Sequence, residues 1–204
     1  MIVVIDYGMG NVGSVVNMLR KVGAEADATG EPARIAQATK LVLPGVGAFD
    51  AAMTRLHYRD LVPVLNRRVL DDGVPILGIC LGMQVMTESS EEGDERGLGW
   101  FEGGTRRFRF DGQEPRLRVP HMGWNVIRAV KPTPLFDGMY DEPRFYFVHS
   151  YHVYCRNVED VMLTTDYGGT FVSGISRGNI YGVQFHPEKN HKFGMHLVRR
   201  FAGL

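Results

Sequence analysis

Residues 74–86 read VPILGICLGMQVM. The first seven form a continuous apolar run of strand length, the kind found in a parallel sheet covered on both faces. The rest has helical spacing, and Gly78-x-Cys80-x-Gly82 stands at the junction. Strand, G-x-C-x-G and helix together make the pattern of a nucleophile elbow with cysteine in place of serine. Small residues two before and two after the nucleophile suit a chain that turns so sharply that larger side chains would collide. A thiol at such a turn lies above a helix N-terminus, whose unpaired N–H groups and dipole favour thiolate. Cys80 is therefore a candidate nucleophile. On this segment alone a second reading stays open, a small apolar residue closing a buried strand.

Outward from the elbow, the first half of the chain repeats strand and helix. MIVVID (1–6) reads as a buried strand, residues 11–22 as a helix, 24–28 as a second strand and KLVLPG (40–45) as a third. Residues 48–70 read as helical, with Pro63 marking a break or the first turn of a second piece. From Thr105 the texture changes to strands: TRRFRF, NVIRAV, RFYFVHSYHVY, VMLTT, FVSGISRG and IYGVQF, before a last helix at 191–201. The expected fold is a single α/β domain over 1–204. Its central sheet is mainly parallel and flanked by helices, with additional antiparallel or mixed strands in the second half. RFDGQEPRLR (109–118) reads as an exposed turn.

Lysine plus arginine and aspartate plus glutamate are equal at 23 each, so no net field draws the chain to nucleic acid or an anionic membrane. The arginines at 106, 107, 109, 116 and 118 alternate with Phe108 and Phe110, as in a hairpin with one solvated face. Two cysteines, no N-terminal signal pattern and no apolar run of membrane-spanning length lead to the expectation of a cytoplasmic protein.

A thiol nucleophile needs a base, and the base needs a group to orient it. His186 and Glu188 in YGVQFHPEKN supply both, because residues i and i+2 of an extended chain project to one side and Pro187 stiffens them. The other reading is a strand ending in a polar turn. His149 and His152 lack a third ligand at familiar spacing, so neither metal nor cofactor is expected. Gly8, Gly10 and Gly13 spell G-x-G-x-x-G, with Glu25 and Asp27 at the distance of a ribose-binding acid. Asp6 and Tyr7, however, separate these glycines from the apolar strand, whereas a pyrophosphate turn starts at the strand's end.

PGVGAF (44–49), GICLGMQ (78–84) and GVQFHPEK (182–189), in this order and spacing, resemble the class I glutamine amidotransferases. That family has a flavodoxin-like fold and hydrolyses the glutamine side-chain amide with a Cys/His/Glu triad. DYGMGN (6–11), ESSEEG (88–93), PHMGWN (120–125) and FYFVHSYHV (145–153) are similar, within that class, to the glutaminase subunits of imidazole glycerol phosphate synthases, which serve histidine biosynthesis. The resemblance covers essentially the whole chain. It implies Cys80, His186 and Glu188 as the triad, and the N–H groups of Val46 and Leu81 as oxyanion donors. Gly45 and Gly47 would admit the substrate to the backbone, and Gln84, Glu92, Ser150 and Tyr151 would bind glutamine. Asn11, Tyr146 and Lys189 would lie where ammonia passes to a (β/α)8 cyclase subunit in a heterodimer, so 6–14 is a docking segment and not a nucleotide loop. The peptide between Gly45 and Val46 is expected to be the movable part of the oxyanion hole, since glycine tolerates either sign of φ. Asn190 stands where the family has serine or another small residue.

Three rivals follow from the same residues. One is a glutaminase or other cysteine hydrolase on this scaffold serving a different synthase. Another is a nucleotide-binding oxidoreductase using Gly8, Gly10 and Gly13. The last is a non-catalytic module that retains the fold.

Overall fold

Val3, Val4 and Ile5 are fully buried and, with Ile2, form the strand β1 (Ile2–Ile5) on which the parallel half of the fold assembles. The computed structural model describes residues 1–110 and 117–204. After β1 come α1 (Val12–Lys21), β2 (Ala26–Thr29), α2 (Pro32–Ile35), β3 (Lys40–Gly45), α3 (Phe49–Tyr58) and α4 (Leu61–Asn66). Then follow β4 (Ile76–Cys80), the single turn α5 (Leu81–Gln84), β5 (Thr87–Ser90) and β6 (Phe101–Arg107). The second half adds β7 (His121–Val126), β8 (Arg128–Ala129), β9 (Arg144–His149), β10 (Tyr151–Cys155), β11 (Val161–Asp166), β12 (Thr170–Arg177), β13 (Ile180–Val183) and α6 (Lys192–Ala202).

The main sheet runs β2-β1-β3-β4-β13-β12-β10-β6-β5, with β11 on β12 and β8 on β11. It is parallel from β2 to β13 and antiparallel across β13, β12, β10 and β6. β7 and β9 form a separate antiparallel pair. Alternation along β1 divides the core. Val4 faces a layer with Val15, Val16 and Leu19 of α1 and Leu197 and Phe201 of α6, while Val3 and Ile5 face Phe49, Met53 and Leu56 of α3 and Leu61 of α4. Both faces of the parallel strands are thus covered, which is why they read as unbroken apolar runs. No helix among the described residues is long and apolar enough to cross a membrane.

The expected mixture of parallel and antiparallel strands is present, with differences in detail. The helical stretch breaks at Asp60, whose φ of 54° is left-handed, and Pro63 lies in the first turn of α4, where its missing N–H costs no helical bond. RFYFVHSYHVY is two strands, not one: β9 pairs with β7 and β10 with β6, the chain changing partners at Ser150. The short α2 and β5 are additional elements with too few residues to set a period. In TRRFRF the strand ends at Arg107, yet Phe108 is buried while Arg107 and Arg109 are exposed, as a half-solvated ribbon requires. Most of the expected turn at 109–118 lies outside the described residues.

Candidate active site

Cys80 closes β4 with φ 57° and ψ −112°, a left-handed conformation in a non-glycine residue. Such strain costs on the order of 1–3 kcal/mol and persists where its surroundings hold it. The flanking glycines are what allow it. A Cβ on Gly82 would strike the Leu43 carbonyl of β3, and one on Gly78 would lie 2.7 Å from Met86 Cε and 2.8 Å from Gly82 O. The elbow therefore leaves Cys80 at the C-terminal edge of the parallel sheet, 7% exposed.

β13 lies beside β4 with Val183 opposite Ile79, so the chain leaving β13 passes directly over the elbow. His186 is held there by its backbone N–H, which donates to Tyr146 O at 2.9 Å. Its Nδ1 is 2.8 Å from Glu188 Oε1, with both side chains almost fully enclosed at 4% and 3% exposure. A carboxylate only accepts, so Nδ1 carries a proton, and Nε2 is the atom left to exchange one with the thiol. Glu188 reaches the ring from a 3₁₀ turn over Pro187–Lys189 and not from an extended run, because Pro187 fixes φ at a helical value. Burial alone lowers the pKa of His186, but Cys80 and Glu188 outweigh it and hold the value up at about 10. The thiol is near enough to act on the imidazole without a well-formed bond to Nε2, which is buried and has no hydrogen-bond partner among the described residues.

A cleft of about 320 Å³ opens over these groups, lined also by Val46, Gly47, Leu81, Gln84, Glu92, Ser150 and Tyr151. Gly47 has φ +110°, as a tight strand-to-helix turn requires. Glu92 Oε2 accepts from Phe49 N at 2.9 Å, capping the start of α3, while Asp50 accepts from Asp94 N and Glu95 N at 3.0 Å each. The acidic stretch is therefore tied to α3. Gln84 Nε2 donates to Tyr151 O at 3.0 Å and Gln184 Oε1 at 2.9 Å, leaving its Oε1 as an acceptor at the cleft.

Gly45 differs from expectation. It does not border the cleft, and its φ is outside the left-handed region. A Cβ there would meet Tyr7 Oη at 2.6 Å, Leu81 Cβ at 2.9 Å and Gly82 N at 3.0 Å, so close packing against the elbow is what demands glycine. The G-x-G-x-x-G stretch also has a local explanation. Gly8 and Gly10 have positive φ, the Gly8 carbonyl accepts from Arg55 Nη1 at 3.0 Å, Gly10 packs on Pro44, and Gly13 is inside α1.

Lys189 places its ammonium 4.4 Å over the Tyr146 ring, one turn from His186. Tyr146 in turn meets Trp124 edge-on at 5.7 Å, and Trp124 (55% exposed) and Met122 (61%) extend this as an apolar patch. Asn11 is exposed just before α1, on the loop whose Gly10 packs against Pro44. Asn190 donates to Arg144 O and its Oδ1 accepts from Phe193 N at 3.0 Å, so it caps α6 as serine would.

Other residues at the site are not legible from motif spacing. His149 Nδ1 donates to Tyr151 O at 2.7 Å and its Nε2 accepts from His121 Nδ1 at 3.2 Å, an order imposed by the accept-only carbonyl. Burial drives both imidazoles down, His149 to about 3 and His121 to about 4, so the pair is neutral. Gln184 is fully buried with Nε2 3.6 Å from Cys80 Sγ. Its place two residues before His186 in a strand pattern was a usable signal.

A strained cysteine elbow, an oriented histidine above it and a cleft at the carboxyl ends of a parallel sheet are joined by a match of residues 3–202 to the glutamine amidotransferase class-I family, to which the chain belongs. Its relatives narrow the group. It is 49% identical to imidazole glycerol phosphate synthase subunit HisH 2 of Methanococcus maripaludis over 98% of both chains. It is 48% identical to the HisH 2 subunit of Pseudomonas aeruginosa and 40% to the HisH subunit of Leptospira interrogans, each over the full length of both. Among solved structures, a glutamine amidotransferase superposes with a TM-score of 0.76 at 16% identity, covering 99% of each chain. A chain of PurLQS from Thermotoga maritima gives 0.74 at 16% identity, over 99% of this chain and 97% of that one. These two share the fold.

Proposed function

We propose that the chain is the glutaminase subunit of an imidazole glycerol phosphate synthase, hydrolysing glutamine and passing ammonia to a cyclase subunit in a heterodimer. The observation that carries this reading is the unpartnered His186 Nε2, oriented by Glu188 at 2.8 Å and set over the Cys80 elbow. Nε2 takes the thiol proton as Sγ attacks the side-chain carbonyl of glutamine. The oxyanion is met by the N–H of Leu81, the residue after the nucleophile, and by that of Val46, which also lines the cleft. His186 returns the proton to the leaving nitrogen, ammonia departs and a thioester to Cys80 remains. Water activated by Nε2 then releases glutamate. Glu92 supplies the negative charge for the α-ammonium, and Gln84, Ser150 and Tyr151 the polar contacts around it.

Tyr146, Lys189 and the apolar patch at Trp124 and Met122 adjoin the triad, so a partner seated there would receive ammonia close to where it forms. With the relatives named HisH, this points to a cyclase as occupant. A second reading keeps the chemistry and changes the client, because the two relatives at 48–49% identity carry the number 2 in their names. The experiment is glutamate release with a cyclase subunit, with and without its ribonucleotide. Strong stimulation by the loaded cyclase is expected. A rate indifferent to it would favour another synthase.

A further inference from the structure

We propose that Gln184 is a catalytic residue, donating a side-chain N–H to the Cys80 sulfur and favouring its thiolate. The inference rests on Cys80 being the nucleophile, as proposed above. Gln184 leaves β13 two residues before His186 and is fully buried. Its Nε2 lies 3.6 Å from Cys80 Sγ, within the range of an N–H···S bond.

Shape alone cannot tell the oxygen of a buried amide from its nitrogen, so the network must decide. Here it decides fully. The Tyr151 carbonyl only accepts, so the Gln84 atom 3.0 Å from it is the NH₂ group. That same nitrogen stands 2.9 Å from the Gln184 amide and has one hydrogen left to give. Gln184 must answer with its oxygen, which turns its NH₂ toward the sulfur. His149, donating to the same carbonyl at 2.7 Å, holds Tyr151 O in place. The turn at Ser150–Tyr151 thereby fixes the polarity of a group two side chains away, at the nucleophile. A thiol is a weak acceptor and a thiolate a strong one, so the bond strengthens as His186 Nε2 takes the proton. No atom of Gln184 is consumed and no proton leaves it.

The test is the rate of Cys80 alkylation by iodoacetamide as a function of pH, in the full chain, with the modified residue identified by peptide mass so that Cys155 is counted separately. In Gln184→Met, which keeps volume and removes the donor, the profile is expected to move up by about one pH unit. Alkylation near neutral pH then falls about tenfold, the size of one charge-assisted hydrogen bond, while the high-pH plateau is unchanged. Gln84→Met, which unlocks the Gln184 amide without removing it, is expected to move the profile less and in the same direction, and serves also if Gln184→Met does not fold. A residue that only filled space would lower the rate equally at every pH. A profile that stays in place in the folded variants overturns the proposal. Glutamine takes no part in the assay, so this failure would leave the glutaminase reading standing.

Discussion

Gly45→Ala adds one methyl group to a tightly packed point beside the elbow. The new carbon would stand 2.6 Å from Tyr7 Oη, 2.9 Å from Leu81 Cβ and 3.0 Å from Gly82 N, all well inside ordinary contact. Tyr7 is fully buried and its hydroxyl has no hydrogen-bond partner among the described residues, while Leu81 and Gly82 are the residues that follow Cys80, so relief requires moving either the ring or the elbow. Overpacking costs about 1–3 kcal/mol, and three simultaneous contacts with packed neighbours place this one near 3. Tyr7→Phe removes the nearest of the three contacts along with an unsatisfied buried hydroxyl, and is expected to stabilise the protein by about 1 kcal/mol. The two changes therefore couple: the double variant should be about 1 kcal/mol more stable than the sum of the single effects. Urea unfolding of the four proteins measures the cycle, and glutamate release by the cyclase complex reports the elbow. Basal and stimulated rates are expected to fall together in Gly45→Ala, because the perturbation is steric and not a bias on a freely turning peptide. A variant within 0.5 kcal/mol of wild type, or strict additivity, would refute this packing account.

His186→Ala is expected to lower glutamine turnover by on the order of 10⁴, and Glu188→Gln by less, about 10², since an amide still accepts from Nδ1 but does not stabilise imidazolium; equal losses in steady-state kinetics would contradict the orienting role. Lys189→Ala, which takes the ammonium off the Tyr146 ring, should reduce transfer of ammonia to the partner more than partner binding, measured as synthase product per glutamate released beside a titration of complex formation. The neutral pair His121 and His149 makes the fold acid-sensitive. Their folded values, about 4 and 3, lie below the 6.5 of the free side chain, so between these limits only the unfolded state binds the protons. Stability is then complete above pH 6.5 and falls as pH drops, by about 1.4 kcal/mol per histidine per unit. Replacing His121 with Gln should flatten urea-midpoint curves between pH 6.5 and 5, and an unchanged slope would count against the buried neutral pair.

Much of this was legible in residues 74–86, because a buried parallel strand and a sharp turn each impose a local pattern. Gly78 and Gly82 mark close approaches that no other residue survives. The triad's spacing was equally plain, but its assembly was not: β13 lies beside β4 through sheet order, a tertiary fact carried by no local period. The break at Ser150 hides inside uniformly strand-prone sequence, since β9 and β10 are both rich in aromatic and β-branched residues and differ in partner. Gly45 shows the opposite limit. Close packing on Tyr7, 38 residues away and folded beneath it, is a demand for glycine that no local pattern carries. Gln184 went unnoticed because glutamine belongs to no common catalytic set, although period two placed it on the face of His186.

The account rests on Cys80 as the point where nitrogen leaves glutamine. The most direct measurement is synthase turnover by the Cys80→Ala chain in complex with a cyclase subunit, fed first glutamine and then an ammonium salt. Glutamine-dependent turnover should vanish while ammonia-dependent turnover persists at the level of the unmodified complex. Retention of glutamine-dependent activity would contradict the assignment of the elbow.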